Sequence, residues 1–416
     1  MWVFYFFATV VVWLGIVSLR GGARYLAYVR REMAKESENF APRASVIAPC
    51  RGLDQGLREN VGALFDQRYP DYEIIFVSDR ADDPALAVIE EVRRELGPRS
   101  KARVRICLAG AATACGQKVH NLRAAVAEAD PSSEVFVFVD TDARPDSGWL
   151  SSLIAPLADE QRGATTGYRW FIPVRGGLPS RLRAVWNASI ASALGERGDR
   201  NFCWGGSTAI RRQTFERLNM MDEWRGTLSD DFAMTRALQR AKLPIHFVPR
   251  CLTASHEDCS FAELLEFTTR QMKITRVYAA HLWQAALLGS LVFVLVFFGG
   301  LALVITRAAL GHTYAVPLAL VSIIYLLGAW KAYLRLRAVG LALAPHHAAP
   351  GRDAPAQLLL WPLASALFLY NALAAASSRR IEWRGITYEL KSPEETVIIS
   401  RQQSAGRGEL NAKDAK

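Results

Sequence analysis

Apolar residues concentrate in four long blocks, one at the start of the chain and three in its last third. Residues 1–19 (MWVFYFFATVVVWLGIVSL) carry no charge, and further blocks lie between His281 and Arg307, between Arg307 and Lys331, and between Asp353 and Arg379. A helix needs about 20 apolar residues to cross a bilayer core, so each block is expected to span one. The first lacks a basic n-region and a small-residue cleavage site and is expected to stay as an anchor. Arg20, Arg24, Arg30, Arg31 and Lys35 follow it directly. The positive-inside bias then puts 20–281 in the cytosol, and Lys331, Arg335 and Arg337 after the third block agree. A full fourth crossing would place Arg379, Arg380 and Arg384 outside, whereas Pro362 could mark a kink or a re-entrant piece, so the side of the C-terminal tail stays open.

Between the first two blocks the pattern changes to short apolar runs alternating with helical spacing. Ser45–Pro49, Tyr72–Ser78, Arg103–Leu108 and Glu134–Asp140 read as strands. Gly56–Gln67, Pro84–Leu96 and Val119–Ala129 read as helices between them, with apolar residues such as Leu57, Val61 and Leu64 on one face. Strands alternating with helices imply an α/β domain with a mostly parallel sheet covered on both faces. Ligands then bind outside the C-terminal strand ends. The expected organisation is an anchor over 1–19, a soluble α/β domain over 20–259, an amphipathic interface helix over 260–281, about three membrane helices over 282–378 and a polar tail over 379–416. The tail's last part (RQQSAGRGELNAKDAK) is expected to be disordered.

Composition narrows the classes. With 51% hydrophobic and 22% charged residues the chain is neither disordered nor a stapled mini-protein. The net charge of +10 could suit a polyanion, but the basic residues gather beside the apolar blocks rather than along a face with interleaved aromatics, which argues against nucleic acid. The six cysteines form no C-x-x-C pair, so neither zinc nor a disulfide framework is indicated.

The residues after the strands are acidic. The second strand ends in Ser78-Asp79-Arg80-Ala81-Asp82-Asp83-Pro84, the fourth in Asp140-Thr141-Asp142, and Leu228-Ser229-Asp230-Asp231-Phe232 opens a helix running to about Arg240. Carboxylates at i and i+2 leaving a buried strand can share one hard cation with a substrate phosphate, or they can form an Asx turn; local sequence leaves both open. Ser229 with two acids is ordinary N-cap chemistry, yet three acidic clusters exceed what capping needs. One could bind a nucleotide, one a metal and one act as a general base. His256-Glu257-Asp258 reads better as a loop and helix cap than as a metal site, and Trp170, Trp186 and Trp204 better as core than as an acceptor pocket.

Together, SVIAPCRGLDQGLRENVGALFDQRYPDYEIIFVSDRADDPA, GQKVHNL, FVFVDTDARPD, CWGGSTAIRR and LSDDFAMTRAL resemble a membrane-bound family-2 glycosyltransferase of the ceramide glucosyltransferase-like branch, over about residues 44–280. The resemblance implies a GT-A type nucleotide-sugar domain. It implies that Asp83, with Asp79 on the same turn, binds the uridine end of a UDP-sugar. It further implies that Asp140 and Asp142 are the D-x-D pair holding Mg²⁺ or Mn²⁺ and the diphosphate, that Lys118 lies near the nucleotide, and that Asp231 is the general base. Gly205, Gly206 and Ser207, with Trp204, match a turn beside the donor and acceptor pocket. The family's Q/R-x-x-R-W falls on 269–278, where Arg270, Gln271 and Lys273 are donor-binding candidates and Ile274 stands in the tryptophan's place. Arg270, Lys273 and Arg276 lie three apart on one helix face, able to clamp a diphosphate or to touch lipid headgroups. The implied activity is metal-dependent, inverting transfer of a sugar from a UDP donor to a membrane lipid hydroxyl at the cytosolic face of a membrane of the bacterial inner-membrane type. A processive polysaccharide synthase would need the intact motif and more spans, and a non-catalytic scaffold would not need the four aspartates.

Overall fold

The computed structural model describes residues 1–36, 39–343 and 353–402. In chain order the first half comprises α1 (Trp2–Ala34), β1 (Ala44–Pro49), α2 (Leu57–Phe65), β2 (Tyr72–Ser78), α3 (Pro84–Leu96), β3 (Arg103–Leu108), α4 (Gln117–Glu128), β4 (Val135–Val139), α5 (Trp149–Ile154), β5 (Ala164–Ile172) and α6 (Leu178–Ala191). Then come β6 (Ser207–Arg211), α7 (Arg212–Arg217), α8 (Met220–Glu223), α9 (Asp230–Arg240), β7 (Ile245–His256), α10 (Phe261–Tyr278), α11 (Ala280–Ala309) and α12 (Ala315–Leu343). The chain ends in α13 (Ala354–Leu359), α14 (Trp361–Ser377), β8 (Arg380–Trp383), β9 (Ile386–Ser392) and β10 (Glu395–Arg401).

Seven strands form one sheet in the order β3-β2-β1-β4-β6-β5-β7. The half read from sequence, β3-β2-β1-β4, is parallel throughout, as the α/β pattern requires. Beyond β4 the strands were not legible; β6 pairs antiparallel with both β4 and β5, and β7 runs parallel to β5. The period of two sorts the central strands onto two cores. Val46, Ile74, Phe76, Val135, Val137 and Val139 face α2, α3 and α5, whereas Ile47, Ile75, Val77, Phe136 and Phe138 face α4 and α9. Burial on both faces accounts for the near-continuous apolar runs of these strands.

Helices α1, α11 and α12 are long and apolar enough to cross a membrane. The fourth apolar block behaves differently. It divides at Leu360 into six-residue α13 and seventeen-residue α14, with Pro362 in the first turn of α14, where a missing N–H costs nothing. Helix α14 lies against α6 and α10: Trp186 stacks on Phe368 at 5.0 Å, and Thr268 and Thr269 both donate to Asn371 Oδ1 at 3.1 Å. Helix α1 continues past its apolar part to the seven-stranded sheet. Tyr25 and Tyr28 stack on Phe247 of β7, and Tyr28 Oη donates to the Phe247 carbonyl at 2.5 Å.

The expected polar tail is in part a folded element. Strands β8–β10 form an antiparallel sheet in the order β10-β9-β8, and Ile381, Ile386, Tyr388 and Leu390 pack on Leu228, Ile274 and Tyr278. Gln117 N donates to Tyr388 Oη at 3.2 Å, and Arg401 donates to Gln117 Oε1 at 3.0 Å. The chain leaving α14 therefore returns to the α/β domain. The disorder expected of the last tail residues falls, from 403 on, outside the described residues.

Candidate active site

Three loops leaving β1, β2 and β4 meet the start of α9 at one edge of the sheet. Lys118, on the first turn of α4, lies between two of them, with Nζ 2.8 Å from Asp140 Oδ1 and 3.3 Å from Asp230 Oδ1. Gly205 leaves room for this pair, because a Cβ there would run into the Asp230 carboxylate and Lys118 Nζ. Burial would raise the Asp140 carboxyl, but Lys118 and Arg169 outweigh it and hold its pKa below the ordinary value. Asp230 goes the other way: burial outweighs the pull of Lys118 and raises it to about 6.

Arg169 approaches from β5. Its Nη2 lies 2.8 Å from Asp142 Oδ1 and 3.6 Å from Asp140 Oδ2, and its guanidinium sits 5.1 Å from the Trp204 ring centre. Behind it Glu257 pairs with Arg183 at 3.1 Å, while Asp258 accepts backbone N–H bonds from Val174, Arg175 and Gly176, which makes this stretch a loop brace.

On the β2 side, Asp83 is buried and fully engaged. It caps α3 through Ala85 N (2.9 Å), accepts from Gly52 N (2.9 Å) and takes the Ser78 hydroxyl at 3.1 Å. Asp79 Oδ2 pairs with Arg51 at 2.7 Å, but its Oδ1 is buried without a hydrogen-bond partner among the described residues. A buried orphan oxygen is costly unless a ligand completes it.

Asp231 stands partly exposed at the start of α9, its Oδ1 accepting from Phe232 N at 2.8 Å and from the Ser229 hydroxyl. From α10, Arg270 reaches toward the cleft between Phe267 (5.7 Å) and Trp383 of β8 (5.4 Å). Burial lowers its pKa to about 10; Glu266 opposes that, and Arg384 and Arg169 reinforce it.

A family model for glycosyl transferase family 21 matches residues 4–396. The chain belongs to glycosyl transferase family 21. The family 21 chain is thus a glycosyltransferase, in line with the resemblance carried by its motifs. Ceramide glucosyltransferase 3 of Caenorhabditis elegans is 27% identical to it over 98 residues, a match spanning 24% of this chain and only 20% of that relative's length. Among solved structures it is similar to a mannosyltransferase from Pyrobaculum calidifontis in complex with GDP-Man and Mn²⁺, at 17% identity and a TM-score of 0.44 over 89% of this chain and 98% of that one. It is also similar to glucosyl-3-phosphoglycerate synthase from Mycobacterium tuberculosis in complex with Mn²⁺ and UDP-glucose, at 17% identity and a TM-score of 0.36 over 60% and 82%.

The family 21 site brings together Asp79, Asp83, Lys118, Asp140, Asp142, Asp231 and Arg270 from the residues singled out by sequence. Others are placed elsewhere. Lys273 donates to the Arg380 carbonyl at 2.7 Å and Arg276 to the Ala375 carbonyl at 2.6 Å, so neither enters the acid cluster. Gln271 is half-buried on the same helix. Ser207 is buried and accepts the Trp149 indole N–H at 2.8 Å, which makes it a core residue. Gly206 accommodates the Trp204 ring, and Trp204 itself is nearly buried beside Tyr168. Trp170 and Trp186 lie in the core. Asp230 and Arg169 join this cluster of charges although the motifs did not single them out. A charged residue within the buried run Gly167-Tyr168-Arg169-Trp170-Phe171 was the available signal for Arg169.

Among the described residues no three His, Cys, Asp or Glu side chains are placed to hold an ion. Asp140 and Asp142 nonetheless suit Mg²⁺ or Mn²⁺, since such ions usually take one or two carboxylates and complete their shell with substrate phosphate and water. Lys118 and Arg169 balance these carboxylates in this structure.

Proposed function

We propose that the protein transfers a sugar from a UDP-sugar to a hydroxyl group of a membrane lipid, at the cytosolic face of a cytoplasmic membrane and with inversion at the anomeric carbon. The observation that carries this is the Lys118, Arg169, Asp140, Asp142 and Asp230 cluster at the strand edge, in a domain whose α10 joins the apolar helix α11 through Ala279 alone. Asp79 Oδ1, the orphan oxygen, receives a nucleoside N–H or hydroxyl, and Asp83 shapes that pocket by holding the β1 loop to α3. Asp140 and Asp142 would hold Mg²⁺ or Mn²⁺, which when bound would supply charge neutralisation at the diphosphate. Lys118 and Arg270 add cations on the same group. Asp231 takes the acceptor proton; its Oδ1 is tied to the start of α9, which orients the carboxylate. One displacement assisted by one base inverts the sugar carbon. Gly205, against Asp230 and Lys118, borders the acceptor side.

The lipid acceptor is supported by position and by the ceramide glucosyltransferase likeness. Crossings by α1, α11 and α12 put the catalytic domain and the C-terminal sheet on one side, and the Arg and Lys residues flanking α1 and α12 favour the cytosol for that side. The test uses detergent-solubilised full-length protein with a panel of UDP-sugars, Mn²⁺ or Mg²⁺ and a total lipid extract, following UDP release. Release should require lipid and divalent ion, stop with EDTA, and vanish in Asp231→Asn. Absence of release with every donor, or release indifferent to lipid, overturns the proposal.

A further inference from the structure

The C-terminal sheet delivers a cation to the edge of the site. Strands β8 and β9 pair as Trp383↔Ile386, leaving Arg384-Gly385 as a two-residue hairpin turn with φ of 49° and 72°. Both signs are those of a type I′ turn, which strongly prefers Asn-Gly or Asp-Gly. A long side chain at the first position adopts the left-handed region at a cost, and such residues concentrate at functional sites. Arg384 keeps about a third of its side chain open to solvent, but its guanidinium is engaged. The Arg384 guanidinium binds both oxygens of Asp54, at 2.8 and 3.1 Å, and donates to the Arg51 carbonyl in the loop after β1. Burial alone would lower its pKa, but Asp54, Asp142 and Asp140 outweigh burial and push it up. The fingertip of the sheet thus lies in the field of the same two carboxylates that the donor site presents.

A second observation points to an anion. Arg270 meets the same hairpin through Trp383 and Arg169 enters from β5 onto Asp142, so three guanidiniums gather at this edge, the other two disfavouring the charge on Arg270. Arg270 pairs with the largely exposed Glu266 at 3.2 Å. Trp383, next to Arg384, covers the Arg270 guanidinium at 5.4 Å. Three like charges held together gain most from a multivalent anion between them. Resting on the donor reading above, we propose that Arg384 is a phosphate-binding residue of the donor site, which the C-terminal sheet contributes and which grips the diphosphate of a nucleoside-diphosphate sugar alongside Arg270. Asp54 holds it in readiness.

The decisive variant is Arg384→Asn, because Asn-Gly is a preferred I′ pair and keeps the hairpin while removing the cation. Calorimetry on full-length protein in detergent with Mn²⁺ compares UDP and GDP with their nucleosides. Arg384→Asn should weaken binding of the diphosphate that wild type accepts by roughly tenfold to a hundredfold, the range for charged hydrogen bonds. Binding of the matching nucleoside should be unchanged, and Arg384→Lys should recover part of the loss. Equal affinity for the diphosphate in wild type and Arg384→Asn overturns the inference, as does an equal loss for diphosphate and nucleoside, which marks a structural turn. Wild type that binds neither UDP nor GDP brings down the donor reading itself; a wild type that binds and an indifferent Arg384→Asn bring down this inference alone.

Discussion

Replacing Lys118 by methionine keeps most of the unbranched stem and removes the cation facing both Asp140 and Asp230. At the separations of 2.8 and 3.3 Å, the two attractions amount to about 6 and about 5 kcal/mol for an effective dielectric near 20. Desolvation of three groups offsets most of this, so the measurable cost is that of an abandoned buried charge, about 3–5 kcal/mol. Asp140 retains Arg169 at 3.6 Å, and the loss therefore falls chiefly on Asp230. Lys118→Met should be destabilised by about that amount, and adding Asp230→Asn should return a large part of it, a coupling that a double-mutant cycle isolates. Thermal unfolding of the purified wild type, both single variants and the double variant gives the four corners. UDP release should be lost in Lys118→Met and stay lost in the double variant, because recovered stability does not replace the cation. A Lys118→Met protein as stable as wild type, or costs that add without interaction, would refute the electrostatic account of the cluster.

Two further outcomes follow from other parts of the site. Ile274→Trp, which restores the family residue, should not improve turnover; Ile274 is buried against Ile381, Ile386, Tyr388 and Leu390, and overpacking costs about 1–3 kcal/mol, visible as faster proteolysis of the C-terminal sheet. Unchanged proteolysis with improved turnover would contradict that placement. Because the Asp230 carboxyl is raised to about 6 in the fold, its contribution to stability is fully present below its ordinary range near 3.8 and is lost as pH rises through about 6. Melting temperature should therefore fall over that interval in wild type more than in Asp230→Asn, and parallel profiles would count against it.

What was legible in the sequence follows from how strongly each segment is over-determined. Strands β1, β2 and β4 are buried on both faces, so their composition is nearly all apolar and announces them. The C-terminal sheet is half-exposed, and its alternation of Ile381, Trp383, Ile386, Tyr388 and Leu390 is interleaved with Glu382, Glu389 and Lys391. Charges mask a period of two over so short a stretch, and the Arg-Gly between the two runs is not one of the usual hairpin pairs. At the site, neighbouring aspartates such as Asp230 and Asp231 cannot be told apart by composition; one turns inward to Lys118 and the other stays partly exposed in the first turn of α9, accepting from Phe232 N. The basic positions of α10 divide for the same reason. Their shared spacing says nothing of which one finds the cleft and which ones meet the Arg380 and Ala375 carbonyls.

Helix α1 has a mechanical consequence. Its 33 residues measure about 50 Å, some 20 Å more than a hydrocarbon core is thick. The surplus is not a leash. Tyr25, Leu26, Tyr28 and Val29 are buried with Phe247 of β7 and with Ala338, Val339 and Leu343 of α12. Two helices long and apolar enough to cross a membrane thus grow straight into the foundation of the catalytic sheet, as masts stepped into a hull. If they cross one, as proposed above, the height and tilt of the reaction centre over the bilayer become constants of the fold. A lipid acceptor would then travel to that fixed berth by lateral diffusion, and loosening the berth, for instance by Tyr28→Ala, would let the centre drift out of reach of a membrane-bound acceptor while a detached, water-soluble one could still find it.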